Sequence, residues 1–332
     1  TPWVMLLAIS SPIERLRSGM IEYYWNSSGN SLNTPLSRRE LLKNAVISAA
    51  GLVIPFSLIA EESDNDQARL TAWTATLRHE ATGARGLSLG RRAARVGELT
   101  AGTPYEAFTL EAYLRAGGNQ LRTEPLTVSL TRFDCVTLVE SCLAVARVAA
   151  SSRVPSWDSF AREVERMRYR GGKRRGYASR LHYFSEWITD GAKRGLVRDM
   201  GAQLGGIEDA RPLRFMTEHR KSYPALANDG VFRAIGEMER GLDKPPRHVV
   251  PTARIPEVVD RIETGDVLAF ATSITGLDVS HAAFAYRDSG GVLRVLHAPL
   301  SGGAVEVTRS TLPEYVSAIK SATGILVARP IG

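Results

Sequence analysis

From residue 264 onward the chain changes its hydrophobic rhythm. DVLAFA (266–271), HAAFAY (281–286), VLRVLHA (292–298), AVEVT (304–308) and GILVARP (324–330) are short, β-rich and separated by Gly, Ser and Asp. Upstream the pattern is helical. Residues 66–118 are helix-rich, punctuated by AGTP at 101–104, and PLTVSL (125–130) alternates like a short strand. CVTLVESCLAVARVAA (135–150) reads as the clearest helix, with Asp134 as its N-cap. Residues 151–255 are polar, helical and loop-rich, and hold the basic run RYRGGKRRG (168–176). Helices first and an antiparallel meander last predict an α+β fold. No internal repeat or low-complexity tract is present.

Composition narrows the function classes. The 332 residues are 44% apolar and 23% charged, which excludes a disordered, collagenous or coiled-coil chain. Two cysteines rule out a disulfide scaffold and a four-cysteine zinc site. No apolar run reaches about 20 residues, so a polytopic membrane protein is excluded. The formal charge of +7 is diffuse and does not by itself imply nucleic-acid binding.

The N-terminal stretch reads as an address. Arg38 and Arg39 in SRRELLK precede the apolar run 45–60, which then breaks into EESDND. A paired arginine before a modest apolar segment resembles a twin-arginine export signal. The expectation is a leader over 1–62 and a single catalytic domain over 63–332, with a helical insertion at about 151–255 and the sheet at about 264–332. The implied location is periplasmic or extracytoplasmic, with no stable membrane insertion after the signal is removed. On one helix, Cys135 and Cys142 lie ~10.5 Å apart at Cα, beyond the ~7 Å limit of a disulfide.

Cys135 falls in the first turn of its helix, directly after the cap. Unpaired N–H groups and the positive end of the dipole favour a thiolate there. An ordinary core cysteine fits the same position, and the residues alone leave both readings open. The segment 280–300 reads as a hairpin around DSGG, with His281 opening one strand and His297 closing the other. A loop over 288–290 pairs Arg287 with Gly291 and sets His281 opposite His297, with Cβ atoms ~5 Å apart on one face. A loop of two or four residues places them on opposite faces. A cysteine at a helix N-terminus with two strand histidines suits nucleophilic attack on a carbonyl, His281 acting as base and acid and His297 orienting it.

GTPY (102–105), FDC (133–135), GDVLAF (265–270), SHAAFAY (280–286) and VLHA (295–298) together resemble the NlpC-type, papain-like superfamily of cell-wall cysteine peptidases. The resemblance covers roughly residues 100–330. The insertion YRGGKRRGYASRLHYFSEW (169–187), with DCVTLVE, is similar to the N-acetylmuramoyl-L-alanine amidase-like branch. The resemblance implies hydrolysis of the amide joining N-acetylmuramoyl to L-alanine in peptidoglycan fragments, or, as the alternative, D,L-endopeptidase action on the stem peptide. It implies Cys135 as nucleophile, His281 as base, His297 as orienting residue and Tyr105 as an oxyanion donor. Asp134, Ser280, Arg180 and Tyr183 are candidate substrate-binding residues. No metal or other cofactor is implied, and the expected partner is a muropeptide or peptidoglycan rather than nucleic acid. A non-catalytic wall-binding module remains a competing class. This sequence departs from the family pattern in reading SHAAF for the usual SHVGI and DCVT for a DCSG-like segment.

Other motifs fail on context. GLSLG (86–90) matches a nucleophile elbow at Ser88, but no strand-like sequence precedes it. His79-Glu80 begins a zinc motif that position 83, a glycine, does not complete. The basic run 168–176 reads as a solvated loop or as a contact for anionic substrate, with Trp187 beyond it in the core.

Overall fold

A computed structural model describes residues 56–81, 87–299 and 303–332. The paired arginines Arg38 and Arg39 lie outside the described residues. The longer helices are α1 (Phe56–Ala81), α2 (Leu89–Leu99), α3 (Cys135–Ala150), α4 (Trp157–Arg168), α5 (Phe184–Lys193), α6 (Asp229–Gly241) and α7 (Leu312–Ala318). The strands are β1 (Val197–Asp199), β2 (Ile207–Asp209), β3 (Arg247–Pro251), β4 (Val267–Thr272), β5 (Val279–Arg287), β6 (Leu293–His297), β7 (Glu306–Val307) and β8 (Ala322–Pro330). α1 runs through the expected leader boundary at residue 62 without a break. No helix among the described residues is long and apolar enough to cross a membrane.

The strands form one antiparallel sheet in the order β2-β3-β8-β4-β5-β6-β7, and β1 also pairs with β8. The α+β class therefore holds. β4 is buried along its whole length because both faces of the sheet are covered. Val267, Ala269 and Ala271 face a core shared with α1 and α3, whereas Leu268 and Phe270 face a second core with Ile255, Leu312 and Val316. This is the period-2 alternation of a strand between two apolar layers.

α3 is apolar on nearly every side and accordingly lies inside, against α1, α2, α4 and β5. Its C-terminal carbonyls are satisfied from α1, where Arg78 donates to Ala149 and Ser151. The glycine of the GD segment has a steric reason. Gly265 adopts φ +88°, and a Cβ there would lie 1.9 Å from the carbonyl oxygen of Gly90 at the start of α2.

Three expectations need correction. PLTVSL (125–130) forms no strand. Its backbone groups pair with side chains instead: Arg168 donates to the Thr127 carbonyl, Asp66 accepts from Leu130 N–H, and Arg69 donates to the Leu130 carbonyl. The stretch 151–255 is not purely helical and looped, since it supplies β1, β2 and β3 to the sheet. The hairpin register is also displaced. Phe284 pairs with Leu296 and Arg287 with Leu293, while Asp288 N–H bonds the Val292 carbonyl. The loop is thus Ser289–Gly291, with Gly291 at φ +80°. A three-residue hairpin loop ends in just such a left-handed residue. Asp288 reinforces it by accepting from the N–H groups of Gly290 and Val292. The loop has the expected length but sits one residue later. Paired positions move by two, and the histidines become diagonal neighbours that still share a face.

Candidate active site

The N-terminus of α3 is built by a reciprocal cap. Asp134 Oδ1 accepts from the backbone N–H groups of Val136 and Thr137, and Thr137 Oγ1 accepts from Asp134 N–H. This fixes Cys135 at the first helical position, where it is 1% exposed. Burial pushes the thiol up to about 12, and the Asp134 charge adds to the shift. The N–H groups of Ala282, Cys135 and Val136 pull only partly the other way. The free site therefore holds a neutral thiol. Desolvation thus opposes the stabilisation of a thiolate expected from the helix terminus.

Backbone pairing brings GTPY against FDC. Tyr105 bridges Phe133 in parallel, Phe133 N–H bonds the Pro104 carbonyl, and Glu106 N–H bonds the Phe133 carbonyl. The Tyr105 hydroxyl is buried with no hydrogen-bond partner. Burial raises its pKa, and the neighbouring Cys135 and Asp134 raise it further. A neutral O–H donor close to the thiol, with no acceptor of its own, is suited to a developing oxyanion.

His281 follows a β-bulge. Register steps from Phe270↔His281 to Ala271↔Val279, leaving Ser280 as the extra, half-buried residue. The His281 ring lies on Phe270, with centroids 5.6 Å apart. Its Nε2 lies 2.8 Å from His297 Nδ1, and its own Nδ1 is buried without a partner. Burial and the adjacent His297 hold His281 well below the usual imidazole range. Burial lowers His297 to about 4. Both rings are neutral at pH 7.

Two residues near this pair escaped the sequence reading. The Tyr315 hydroxyl on α7 lies 3.3 Å from His297 Nδ1, and Glu306 Oε1 on β7 lies 3.7 Å from His297 Nε2. Neither belongs to a recognisable motif. The one local signal at Tyr315 is the capping box of Thr311 and Glu314 that starts its short helix.

Tyr105, Asp134, Cys135, Ser280, His281 and His297 gather around the start of α3 and the β5 bulge, and Arg180 and Tyr183 are held by carboxylates. Arg180 is buried between Glu111 (2.6 Å) and Glu124 (3.5 Å). The Tyr183 hydroxyl donates to Glu239, also buried. The Tyr183 hydroxyl is satisfied there, whereas Arg180 Nη1 is buried without a hydrogen-bond partner. The basic run is similarly engaged: Arg168 pairs with Glu140, Arg170 with Glu186, and Arg174 donates to the Glu124 carbonyl. Trp187 lies in the core. Cys135 and Cys142 are free thiols. Ser88 caps α2 by accepting from Arg91 N–H. Among the described residues, no group of His, Cys, Asp and Glu is clustered to hold a metal ion.

The chain belongs to the AmiA-like family, described as N-acetylmuramoyl-L-alanine amidase-like, whose sequence model matches residues 95–325. Among solved structures it is similar to an N-acetylmuramoyl-L-alanine amidase from Bacteroides uniformis, at 30% identity and TM-score 0.66, covering 74% of this chain and 99% of that one. It is also similar to a protein from Bacteroides fragilis described as a presumed xylanase, at 34% identity and TM-score 0.64, covering 71% and 99%. A Legionella pneumophila protein at 19% identity and TM-score 0.59, covering 82% and 97%, shares the fold. A search of curated proteins returned no significant match.

Proposed function

We propose that this protein is an NlpC-type, papain-like thiol amidase, exported by the twin-arginine route, that cleaves the bond between N-acetylmuramoyl and L-alanine in peptidoglycan fragments. The observation that carries the reading is a buried His281–His297 couple on the strands whose Ala282 N–H meets Cys135, itself at a capped helix N-terminus, inside the segment matched by an amidase-like family. The groups suited to nucleophilic and base roles are a thiol and imidazoles. Most glycoside hydrolases use a carboxylate pair instead, which favours amide over glycosidic cleavage.

The neutral resting state supports a general-base route. The Cys135 sulfur attacks the lactyl carbonyl carbon as its proton passes to His281 Nδ1. The Cys135 N–H and the Tyr105 hydroxyl donate to the oxyanion. Collapse expels the L-alanine amine, which takes the proton from His281 and leaves a thioester. Water, deprotonated by His281, then releases the acid and restores the thiol. Asp134 holds the helix start and, with Ser280 at the bulge, borders the substrate path; Arg180 and Tyr183 brace the fold.

The test is mass spectrometry of an N-acetylmuramoyl-tripeptide incubated with the mature protein, alongside Cys135→Ala and an EDTA control. Release of an L-alanine-led peptide by the wild type alone, unaffected by EDTA, is the expected result. Cleavage within the peptide would convert the assignment to an endopeptidase at the same site. Activity surviving in Cys135→Ala, or no turnover at all, would overturn the mechanism.

A further inference from the structure

We propose that Glu306 is a positioning residue that fixes the tautomer of His297, and through it leaves His281 Nδ1 bare to take the thiol proton. The inference rests on the amidase reading of the site and deepens it.

The reasoning follows the protons. A neutral imidazole carries one N–H and one lone pair. The 2.8 Å contact between His281 Nε2 and His297 Nδ1 holds one proton, which allows two arrangements. If His281 Nε2–H donates, its Nδ1 is a lone pair and can act as base. If His297 Nδ1–H donates, His281 carries its proton on Nδ1 and has no basic nitrogen to offer Cys135. The hydrogen bond at the far nitrogen of the second ring decides between them.

That far nitrogen, His297 Nε2, is buried and without a hydrogen-bond partner. Glu306 lies directly across the strand pair from His297. Its Oε1 is 3.7 Å from Nε2, too long for a hydrogen bond but within ion-pair reach, and its side chain is 59% exposed. The gap to hydrogen-bond distance is under about 1 Å. A carboxylate only accepts, so it selects the Nε2–H form of His297 and frees Nδ1 to accept from His281. Tyr315 also flanks this nitrogen: its hydroxyl lies 3.3 Å from the same Nδ1, where it can donate or accept, and its ring stands edge-on to His297 at 5.2 Å. The groups facing His297 are thus His281, Tyr315 and Glu306, and the carboxylate is the one anion among them.

The experiment uses the unliganded mature protein and long-range 1H–15N correlation spectra of its imidazoles at pH 7. The expected result is Nε2–H for His297 and for His281 in the wild type and in Glu306→Gln, whose amide oxygen still accepts. Glu306→Ala should show Nδ1–H populated at His297. In muropeptide hydrolysis, Glu306→Ala should lower kcat about tenfold with KM unchanged, and Glu306→Gln should stay within about threefold of wild type. Nδ1–H at His297 in the wild type, or a Glu306→Ala variant unchanged in both spectrum and kcat, would overturn the proposal. If the wild type hydrolyses no muropeptide, the amidase reading fails while the spectra still decide the tautomer.

Discussion

Around Cys135 and around Arg180 the protein buries ionisable groups almost completely, yet burial disfavours charge on the thiol and imidazoles of the first while the guanidinium of the second is held charged. At the site, burial raises the thiol and lowers both histidines, and no opposite charge offsets it. Asp134 makes a thiolate still harder to form. In the second cluster, burial also works against the charge on Arg180, but Glu111 and Glu124 more than reverse it and hold the guanidinium well above its ordinary range. Tyr169 donates to Glu124, and the Arg180 guanidinium lies over the Tyr177 ring at 4.9 Å. The difference teaches that burial alone does not set protonation; the partner does. One cluster disfavours charge on its thiol and imidazoles, and the other clamps 177–180 against Glu111 and Glu124.

The largest expected effect is on chemistry. Cys135→Ala should lower muropeptide hydrolysis by at least about 10³-fold, with a thermal midpoint within about 4 °C of wild type. A collapse in stability instead would mean that Cys135 is a packing residue, which erases the contrast. Arg180→Ala should cost about 3–5 kcal/mol in denaturant unfolding, because it leaves buried carboxylates without their counter-charge. A loss below about 1 kcal/mol would show that the clamp is not charged as described.

The histidines give a pH prediction that joins the two regions. His182 is lowered by burial and by the positive charge of Arg180, and His281 and His297 mainly by burial. Each is neutral when folded and takes up a proton more readily when unfolded. Their contribution is complete above pH 6.5 and is lost as pH falls through the folded values. For His297, a drop from 6.5 to about 4 withdraws on the order of 3 kcal/mol by pH 4. Thermal melts between pH 7 and 4 should fall steadily, and a flat profile would contradict neutral burial. The smallest effect is in kinetics. With a neutral thiol and neutral base, kcat/KM should stay within about twofold from pH 6.5 to 9. A decline above pH 8 would indicate an imidazolium working with a thiolate.

Much of this was legible where the cause is local. The cap and span of α3 match the sequence reading because Asp134, Thr137 and the apolar run act within a few residues of one another. β4, β5, β6 and β8 fall within about two residues of their sequence bounds, since both-sided burial leaves continuous apolar runs. β1, β2 and β3 went unread because VRD, IED and RHVVP are short and polar, and their strand form comes from pairing with β8 and with each other. PLTVSL erred the other way: it alternates, but no neighbouring strand meets it. The partners of Arg180 and Tyr183 went unread because nothing in their own segment announces Glu111, Glu124 or Glu239.

The sequence by itself determined the cysteine at a capped helix start and, for a three-residue hairpin loop, the shared face of His281 and His297. These depend on hydrogen bonds and periodicities spanning a few residues. Tertiary structure alone decided that the thiol and both imidazoles are neutral, that Glu306 and Tyr315 flank His297, and that Arg180 is enclosed. Those outcomes depend on how much water is removed and on which charges arrive from distant parts of the chain, quantities that exist only once the two cores have closed around the sheet.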